Sequence, residues 1–172
     1  MLQVSKPREE HYKPRMGFYI NLVPDNFQLY KLKVNYEEFR AFILSLPKDR
    51  LMYRYREDKW TIKEILVHII DTERIFAYRA LRIARNDQLD LRAFDQELYV
   101  PHSNANARSI ENIFEEYEAI RKSTFLLFTS FDDVAWNRVG SADAHPLSVR
   151  AALYVIAGHE LHHLNIIKER YM

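Results

Sequence analysis

The chain has 172 residues, of which 48% are hydrophobic and 28% are charged, so we expect one globular domain and exclude a disordered chain. Only 3 glycines and 6 prolines are present, too few for a many-turned β architecture, and the absence of cysteine excludes disulfides and thiolate metal ligands. The 25 lysines and arginines nearly balance the 24 aspartates and glutamates, so we expect no nucleic-acid partner.

Residues 1–25 are mostly polar and contain three of the six prolines. They lack the apolar core of a signal peptide. The longest uninterrupted apolar run, 151–157, is also far shorter than the ~20 residues of a membrane span. We therefore expect a cytoplasmic protein without a membrane partner. Apolar side chains in the second half of residues 1–25 predict an extended arm packed on the main domain, residues 26–172.

Four segments show the 3.6-residue periodicity of amphipathic helices, and they span about 26–46, 61–85, 109–130 and 148–171. Thr61, followed three residues later by Glu64, is a capping-box pattern at the start of the second segment. Four helices of ~20 residues, each about 30 Å long, predict an all-α fold, a four-helix bundle. A long connection, about 86–108, separates the second helix from the third.

The most distinctive local pattern is GHELHH at 158–163, in the fourth predicted helix. Histidines four residues apart lie about 40° apart around a helix axis and ~6 Å apart along it, so His159 and His163 can reach one ion. His162 competes for the second position, but its neighbours along the helix are more polar, which favours His163. Zinc and similar divalent ions accept neutral imidazole nitrogen, so this pair is a candidate metal site.

A third ligand would come from His68, which lies in an apolar stretch of the second predicted helix, 65–70. A buried imidazole needs partners for its nitrogens, and a metal ion would satisfy one of them. A single histidine on an apolar face is more often a hydrogen-bonded core residue. The residues alone therefore leave both interpretations open.

The histidine segment also matches the H-E-x-x-H pattern of zinc proteases, with Glu160 in the place of the general base. We reject that interpretation, because Ile166 and Glu169 occupy the places of the glycine and the third histidine that the extended pattern requires. Only nine residues follow His163, too few to supply a ligand from a later helix. Glu160 is predicted to be a solvated helix residue, although it remains a candidate partner of the metal site.

Three further residues are candidates for supporting the metal ligands by hydrogen bonds: Asp71, Asp95 and His162. Asp71 follows His68 by three residues, but an ion pair is the more common role of such a carboxylate. Asp95 lies in the long connection, where it would form either the rim of a pocket or a plain turn. The basic run 79–85 is interpreted as a solvated helix face near a helix C-terminus.

Four motifs of the chain, in this order, resemble those of the DinB/YfiT-like superfamily. They are WTIKEILVHIIDTER at 60–74, FDQ at 94–96, HP at 145–146 and GHELHH at 158–163. The resemblance covers about residues 26–172 and implies a four-helix bundle with a metal on three histidines, here His68, His159 and His163. It also implies a small-molecule substrate and pairing into homodimers. Because the superfamily includes metal-dependent hydrolases, thiol-dependent S-transferases and an isomerase, a low-molecular-weight thiol is a further expected cofactor.

The sequence thus predicts an all-α metalloenzyme with a zinc or nickel ion, either a hydrolase or a thiol-dependent S-transferase. Such an ion would activate water or the sulfur of a thiol at an open coordination position. The alternative is a non-enzymatic helical module that binds a ligand or partner and carries a structural metal. The number of protein ligands on the ion distinguishes the enzyme from the non-enzymatic module. Four protein ligands indicate a structural ion, whereas three ligands plus solvent indicate catalysis.

Overall fold

The computed structural model describes residues 2–172, and four long helices dominate it. In chain order the helices and strands of these residues are β1 (Gln3–Val4), α1 (Gly17–Ile20), β2 (Phe27–Gln28), α2 (Lys31–Leu44), α3 (Ile62–Ala84), α4 (Gln96–Tyr99), α5 (Ile110–Thr129), α6 (Asp133–Trp136), β3 (Val139–Ala142), β4 (His145–Ser148) and α7 (Val149–Arg170). Helices α2, α3, α5 and α7 correspond to the four predicted segments, so the prediction of an all-α four-helix bundle is confirmed. Between residues 2 and 172, no helix combines the length and the apolar character needed to cross a lipid bilayer.

Side-chain caps determine where three of the long helices begin. The hydroxyl of Thr61 accepts the N–H of Glu64, whose carboxylate accepts the N–H of Thr61 at 2.7 Å, so the predicted capping box is present at the start of α3. Ser109 and Ser148 cap α5 and α7 in the simpler way, each accepting the N–H of the third residue after it. These bonds satisfy backbone donors that a helix leaves unpaired at its N-terminus.

The first predicted helix begins later than its periodicity indicates. Residues 26–30 are not helical, because Phe27 and Gln28 pair antiparallel with β1, Phe27 lying opposite Val4. Asn26 adopts a left-handed backbone conformation with φ of 57°, which a right-handed helix does not contain. The apolar residues of this segment therefore contribute to the core from a short strand.

Helix α3 is the centre of the bundle, since it packs against both α7 and α5, while α2 packs against α5. Ile65 near the start of α3 shares a buried cluster with Ile167 near the end of α7. Ile83 near the end of α3 shares a second cluster with Ala152 near the start of α7. Helices α3 and α7 are therefore antiparallel, and the middle of each lies between the two clusters.

The N-terminal arm is integrated into the core. Its buried apolar residues are Val4, Tyr12, Met16, Ile20 and Val23. The hydroxyl of Tyr154 on α7 donates a hydrogen bond to the carbonyl of Val4 at 2.8 Å and accepts one from the N–H of Phe27 at 3.2 Å. Helix α1 packs directly on α7. The arm thus covers one side of the helix that carries the GHELHH motif.

A β-hairpin that the sequence did not predict precedes α7. Strands β3 and β4 pair antiparallel, with Ala142 opposite His145, and the two turn residues, Asp143 and Ala144, both have left-handed φ values of 57° and 55°. Two such residues form the turn type that matches the twist of a hairpin. Leu91 forms an isolated bridge with Ala142, so the hairpin anchors the long connection between α3 and α5.

Candidate metal centre and adjoining clefts

Three histidine side chains converge between the middle of α7 and the first half of α3. The Nε2 atom of His68 lies 2.9 Å from Nε2 of His159, which lies 3.1 Å from Nε2 of His163. One nitrogen of each ring lies within 4.8 Å of the others, and the three residues are 4%, 4% and 8% exposed. The antiparallel packing of α3 on α7 therefore brings together the three histidines that the sequence singled out.

The donor set fits a divalent ion. Nitrogen ligands at ~2.0–2.1 Å from a tetrahedral ion are about 3.3 Å apart, close to the separations between these Nε2 atoms. Burial lowers the pKa of His68 to about 4, with the charge of His162 adding to the effect. Burial, reinforced by the neighbouring histidines, lowers the pKa of His159 and His163 well below the ordinary value. The imidazoles are thus neutral near pH 7 and keep the lone pairs that a metal requires.

Aromatic rings enclose two of the three imidazoles. The ring of Trp60, directly before the capping box, lies 4.8 Å from that of His68, centroid to centroid. The ring of Tyr19 in α1 lies 5.2 Å from that of His159 in an edge-to-face arrangement. Both residues come from segments outside the bundle helices, so neither role was visible in the helical periodicity. Their packing restricts the rotation of the imidazoles.

His162 lies beside the triad but outside it. Its side chain is half-buried and packs edge-on against the rings of Phe18 and Tyr19, at centroid distances of 4.9 and 5.4 Å. Its ring also lies 4.9 Å from that of His163, without belonging to the group of three converging nitrogens. His162 therefore packs the arm onto α7.

The two aspartates have other contacts. Arg74 donates to the carboxylate of Asp71 at 3.4 Å, which is the ion pair that the sequence favoured for this residue. The carboxylate of Asp95 accepts the N–H of Glu97 at 2.9 Å and so caps α4. Asp95 also lines the larger of the two clefts described below.

The prediction that Glu160 is solvated is wrong. It is 1% exposed, and Arg121 of α5 donates to its Oε2 at 2.6 Å. The hydroxyl of Tyr117 also donates to Glu160, and Arg121 further binds Glu73 at 2.8 Å and the carbonyl of Leu32 at 2.7 Å. Burial raises the pKa of Glu160, against the opposing effect of Arg121. This carboxylate is therefore part of a buried network in the bundle core.

Two clefts adjoin the histidine triad. The larger, of about 660 Å³, is bounded by α1, α3, the hairpin and the long connection, and it ends at His159. The smaller, of about 210 Å³, ends at His163. Trp60, Ile65 near the start of α3 and Ile166 near the end of α7 also line it. Gln96 and Glu97 line both clefts, so α4 lies between their mouths. Of these two residues the sequence had pointed only to Gln96, through the FDQ motif.

The prediction of a solvated basic face over 79–85 is wrong for its first residue. Arg79 is only 5% exposed and lines the larger cleft, because the long connection folds back over this part of α3. Arg82 is half-buried and paired with Asp87, and Arg85 is exposed, as expected for the end of a helix. The buried guanidinium of Arg79 is therefore a feature of the cleft.

Comparison with known proteins agrees with the fold. A family model described as the DinB superfamily matches residues 31–167. A curated protein of Oceanobacillus iheyensis named "Putative metal-dependent hydrolase" is 28% identical over 129 residues, covering 72% of each chain. The solved structure of YfiT from Bacillus subtilis, described as a "probable metal-dependent hydrolase with an unusual four-helix bundle topology", has a TM-score of 0.72 at 16% identity and covers 96% of this chain and 91% of that one. This chain belongs to the DinB superfamily.

Proposed function

We propose that the protein is a metal-dependent hydrolase of a small-molecule substrate, with a divalent ion held by His68, His159 and His163. The observation that carries the proposal is the convergence of three buried, neutral imidazoles at the meeting point of two clefts. The names of the relatives from Oceanobacillus and Bacillus support the same class of activity. Zinc and nickel both accept such a ligand set.

The number of protein ligands favours catalysis over a structural ion. Among residues 2–172, the group that could hold an ion contains three side chains. The two neighbours on α7 that could supply a fourth donor are otherwise engaged, since Glu160 is bound by Arg121 and His162 packs on the arm. Three protein ligands leave a coordination position for solvent or substrate, which is the pattern of catalytic sites.

The chain's own residues would prepare the site for this chemistry. When bound, a divalent ion lowers the pKa of water toward ~7 and polarises a substrate carbonyl. Burial keeps the three histidines neutral, and Trp60 and Tyr19 hold two of their rings in place. The clefts provide separate routes to the triad for small molecules.

Metal analysis of single variants tests the ligand assignment. We expect about one ion per chain in the wild type and its loss in His68→Ala, His159→Ala and His163→Ala, since each removes one of three ligands. His162→Ala is the matched control, because it removes a neighbouring imidazole of α7 outside the triad, and it should retain the ion. Circular dichroism verifies that the variants fold. Wild-type occupancy in all three triad variants would overturn the proposal.

Turnover of simple esters and amides by the metal-loaded protein tests the reaction class. We expect hydrolysis that requires the ion and is lost with His159→Ala. Inactivity across such a panel, with the ion in place, would support the alternative of a non-enzymatic ligand-binding module.

The second cleft favours one other function, a thiol-dependent S-transferase. Hydrolysis needs a single organic substrate, whereas two clefts that end at His159 and His163 offer separate places for a substrate and a low-molecular-weight thiol. Substrate consumption that requires an added thiol, with formation of a thioether as the thiol sulfur displaces the leaving group of the substrate, would select this function. Consumption that is independent of thiol would select hydrolysis.

A further inference from the structure

The larger cleft contains a buried cation that lacks a carboxylate in contact. Arg79 is 5% exposed, and its Nη2 atom donates to the carbonyl of Arg92 at 2.8 Å. The guanidinium otherwise lies against the rings of Phe76 and Phe94, 5.1 and 5.7 Å from their centroids. No carboxylate of residues 2–172 forms a salt bridge with it. A buried charge without an opposite charge is unfavourable, so this arginine is available to an external anion.

The carboxylates that line the cleft do not take that place. Asp143 is paired with Lys13 at 2.6 Å, and Asp95 caps the N-terminus of α4. Glu97 is exposed and lies where the larger cleft adjoins the smaller one. None of these three carboxylates therefore forms a salt bridge with Arg79.

A second arginine lines the same cleft as Arg79. Arg15 is exposed at the rim of the cleft. Burial lowers the pKa of Arg79, and repulsion from Arg15 acts in the same direction, whereas attraction to Asp143 and Asp90 acts against them. An anion between the two arginines would relieve both effects.

An unpaired hydroxyl lies between this cation and the histidine triad. Thr72 is 3% exposed and lines the cleft, and its Oγ1 atom has no hydrogen-bond partner. His68, Thr72 and Arg79 share one face of α3, because eleven residues complete three turns with only about 20° left over. The distance from His68 to Arg79 along the axis is about 16 Å. Thr72 thus offers a hydrogen bond partway along the cleft.

We propose that the larger cleft binds an elongated small molecule whose anionic group, a carboxylate or a phosphate, pairs with Arg79, and whose opposite end reaches the histidine triad. Planar guanidinium groups bind both kinds of anion through two parallel hydrogen bonds. The apolar walls from Phe76, Phe94 and Val155 accommodate the middle of the molecule. The role of the reactive end rests on the proposed function, whereas anion binding at Arg79 does not require the ion.

Matched pairs of probes test the inference by titration calorimetry. Hexanoate is compared with hexanamide, and hexyl phosphate with hexanol. The two members of each pair have similar lengths, but only one of them is charged. We expect at least one of the two anions to bind roughly tenfold or more tightly than its neutral mate, as a hydrogen-bonded charge pair provides. The two pairs show whether the site prefers a carboxylate or a phosphate. Each titration is done before and after treatment with a chelator, because an ion at the histidines would also attract anions.

Arginine variants locate the binding site. Arg79→Met should reduce the ratio of anionic to neutral affinity to about one, and Arg79→Lys should retain part of it. Arg15→Met, at an exposed position, should weaken the preference without affecting the fold. Arg85→Met is the control, since it removes an exposed arginine directly after α3 that does not line the cleft. If Arg79→Met does not fold, Arg79→Lys and Arg15→Met decide the question.

Four results would overturn the inference, and the first three are equal binding of both members in both pairs, a preference that survives in Arg79→Met, and a preference that disappears on chelation. The absence of measurable binding of both anions at millimolar concentration would do the same. Failure of the proposed function is distinguishable. A protein that fails to bind zinc or nickel when the metal is added, yet still prefers anions, contradicts that function and leaves the anion site intact.

Discussion

The backbone carbonyl of Tyr19 lies so close to Gly158 that a Cβ atom at this glycine would stand 2.0 Å from the carbonyl oxygen. The backbone of α1 therefore contacts α7 directly at Gly158, the residue before His159. The ring of Tyr19 then packs against the imidazole of His159. The glycine of the GHELHH motif thus permits the arm to reach the histidine triad.

Gly158→Ala should destabilise the protein by ~1–3 kcal/mol, since the added methyl group meets backbone atoms that cannot rotate away. The measurement is the free energy of unfolding in urea. Gly17→Ala is the control, because its Cβ would lie 3.6 Å from a ring carbon of Tyr12, an ordinary contact, and we expect a change within about 0.5 kcal/mol. Equal effects of the two substitutions would contradict the close packing of α1 on α7.

Arg121→Met should destabilise the fold by roughly 3–5 kcal/mol, because Glu73 and Glu160 would remain buried without their cation. Denaturant unfolding measures the effect. Adding Glu160→Gln to this variant should restore part of the loss, since it removes one of the two uncompensated charges.

Arg56→Met is the control for the buried network. Arg56 pairs with Asp58 at the surface, where both side chains are more than 60% exposed, at 63% and 62%. Exposed pairs contribute about 0–1 kcal/mol, so we expect a small change. A change as large as that of Arg121→Met would mean that burial of the network does not determine its contribution.

Removal of the proposed ion should lower the melting temperature. A ligand that binds only the folded state, at a free concentration of 100 times its Kd, stabilises that state by about 2.7 kcal/mol. Differential scanning calorimetry of chelated protein, followed by addition of zinc or nickel, measures the shift. His159→Ala should show no response to added metal. A response of equal size in this variant would place the metal elsewhere.

Tyr36 should ionise only in strongly alkaline solution. It is 3% exposed, its hydroxyl donates to the carbonyl of Phe114 at 3.2 Å, and burial, with a contribution from Glu118, raises its pKa from 10.0 to about 12. Because the folded-state pKa is raised, its contribution to stability is complete below pH 10 and is lost as the pH rises toward about 12.

The comparison of wild type with Tyr36→Phe isolates this residue. The difference between their unfolding free energies should be constant below pH 10 and should change between pH 10 and about 12, as wild type loses the contribution. Tyrosinate absorbance should show the same step in the difference spectrum. A step centred at pH 10 would show that Tyr36 is accessible to solvent.

Local chemistry explains why the helices were predictable. Thr61, Ser109 and Ser148 cap helices through bonds to residues three positions away, so the information needed to start each helix lies within one turn. The same short range applies to His159 and His163, which share a helix face because of their spacing. Asn26 and the β1–β2 pairing show the limit, since the partner strand lies more than twenty residues away.

Local sequence patterns were enough to predict the four helices, the capping box of α3 and a histidine pair able to hold an ion. Three other features depend on the packing of distant segments: His68 meets that pair from 91 residues away, Glu160 is buried against Arg121, and Arg79 lines a cleft. Periodicity specifies which side chains share a face of a helix, whereas the element that covers the face depends on how distant segments pack. Because α1, α3 and α6 all pack against α7, polar side chains of this helix are buried as well as apolar ones.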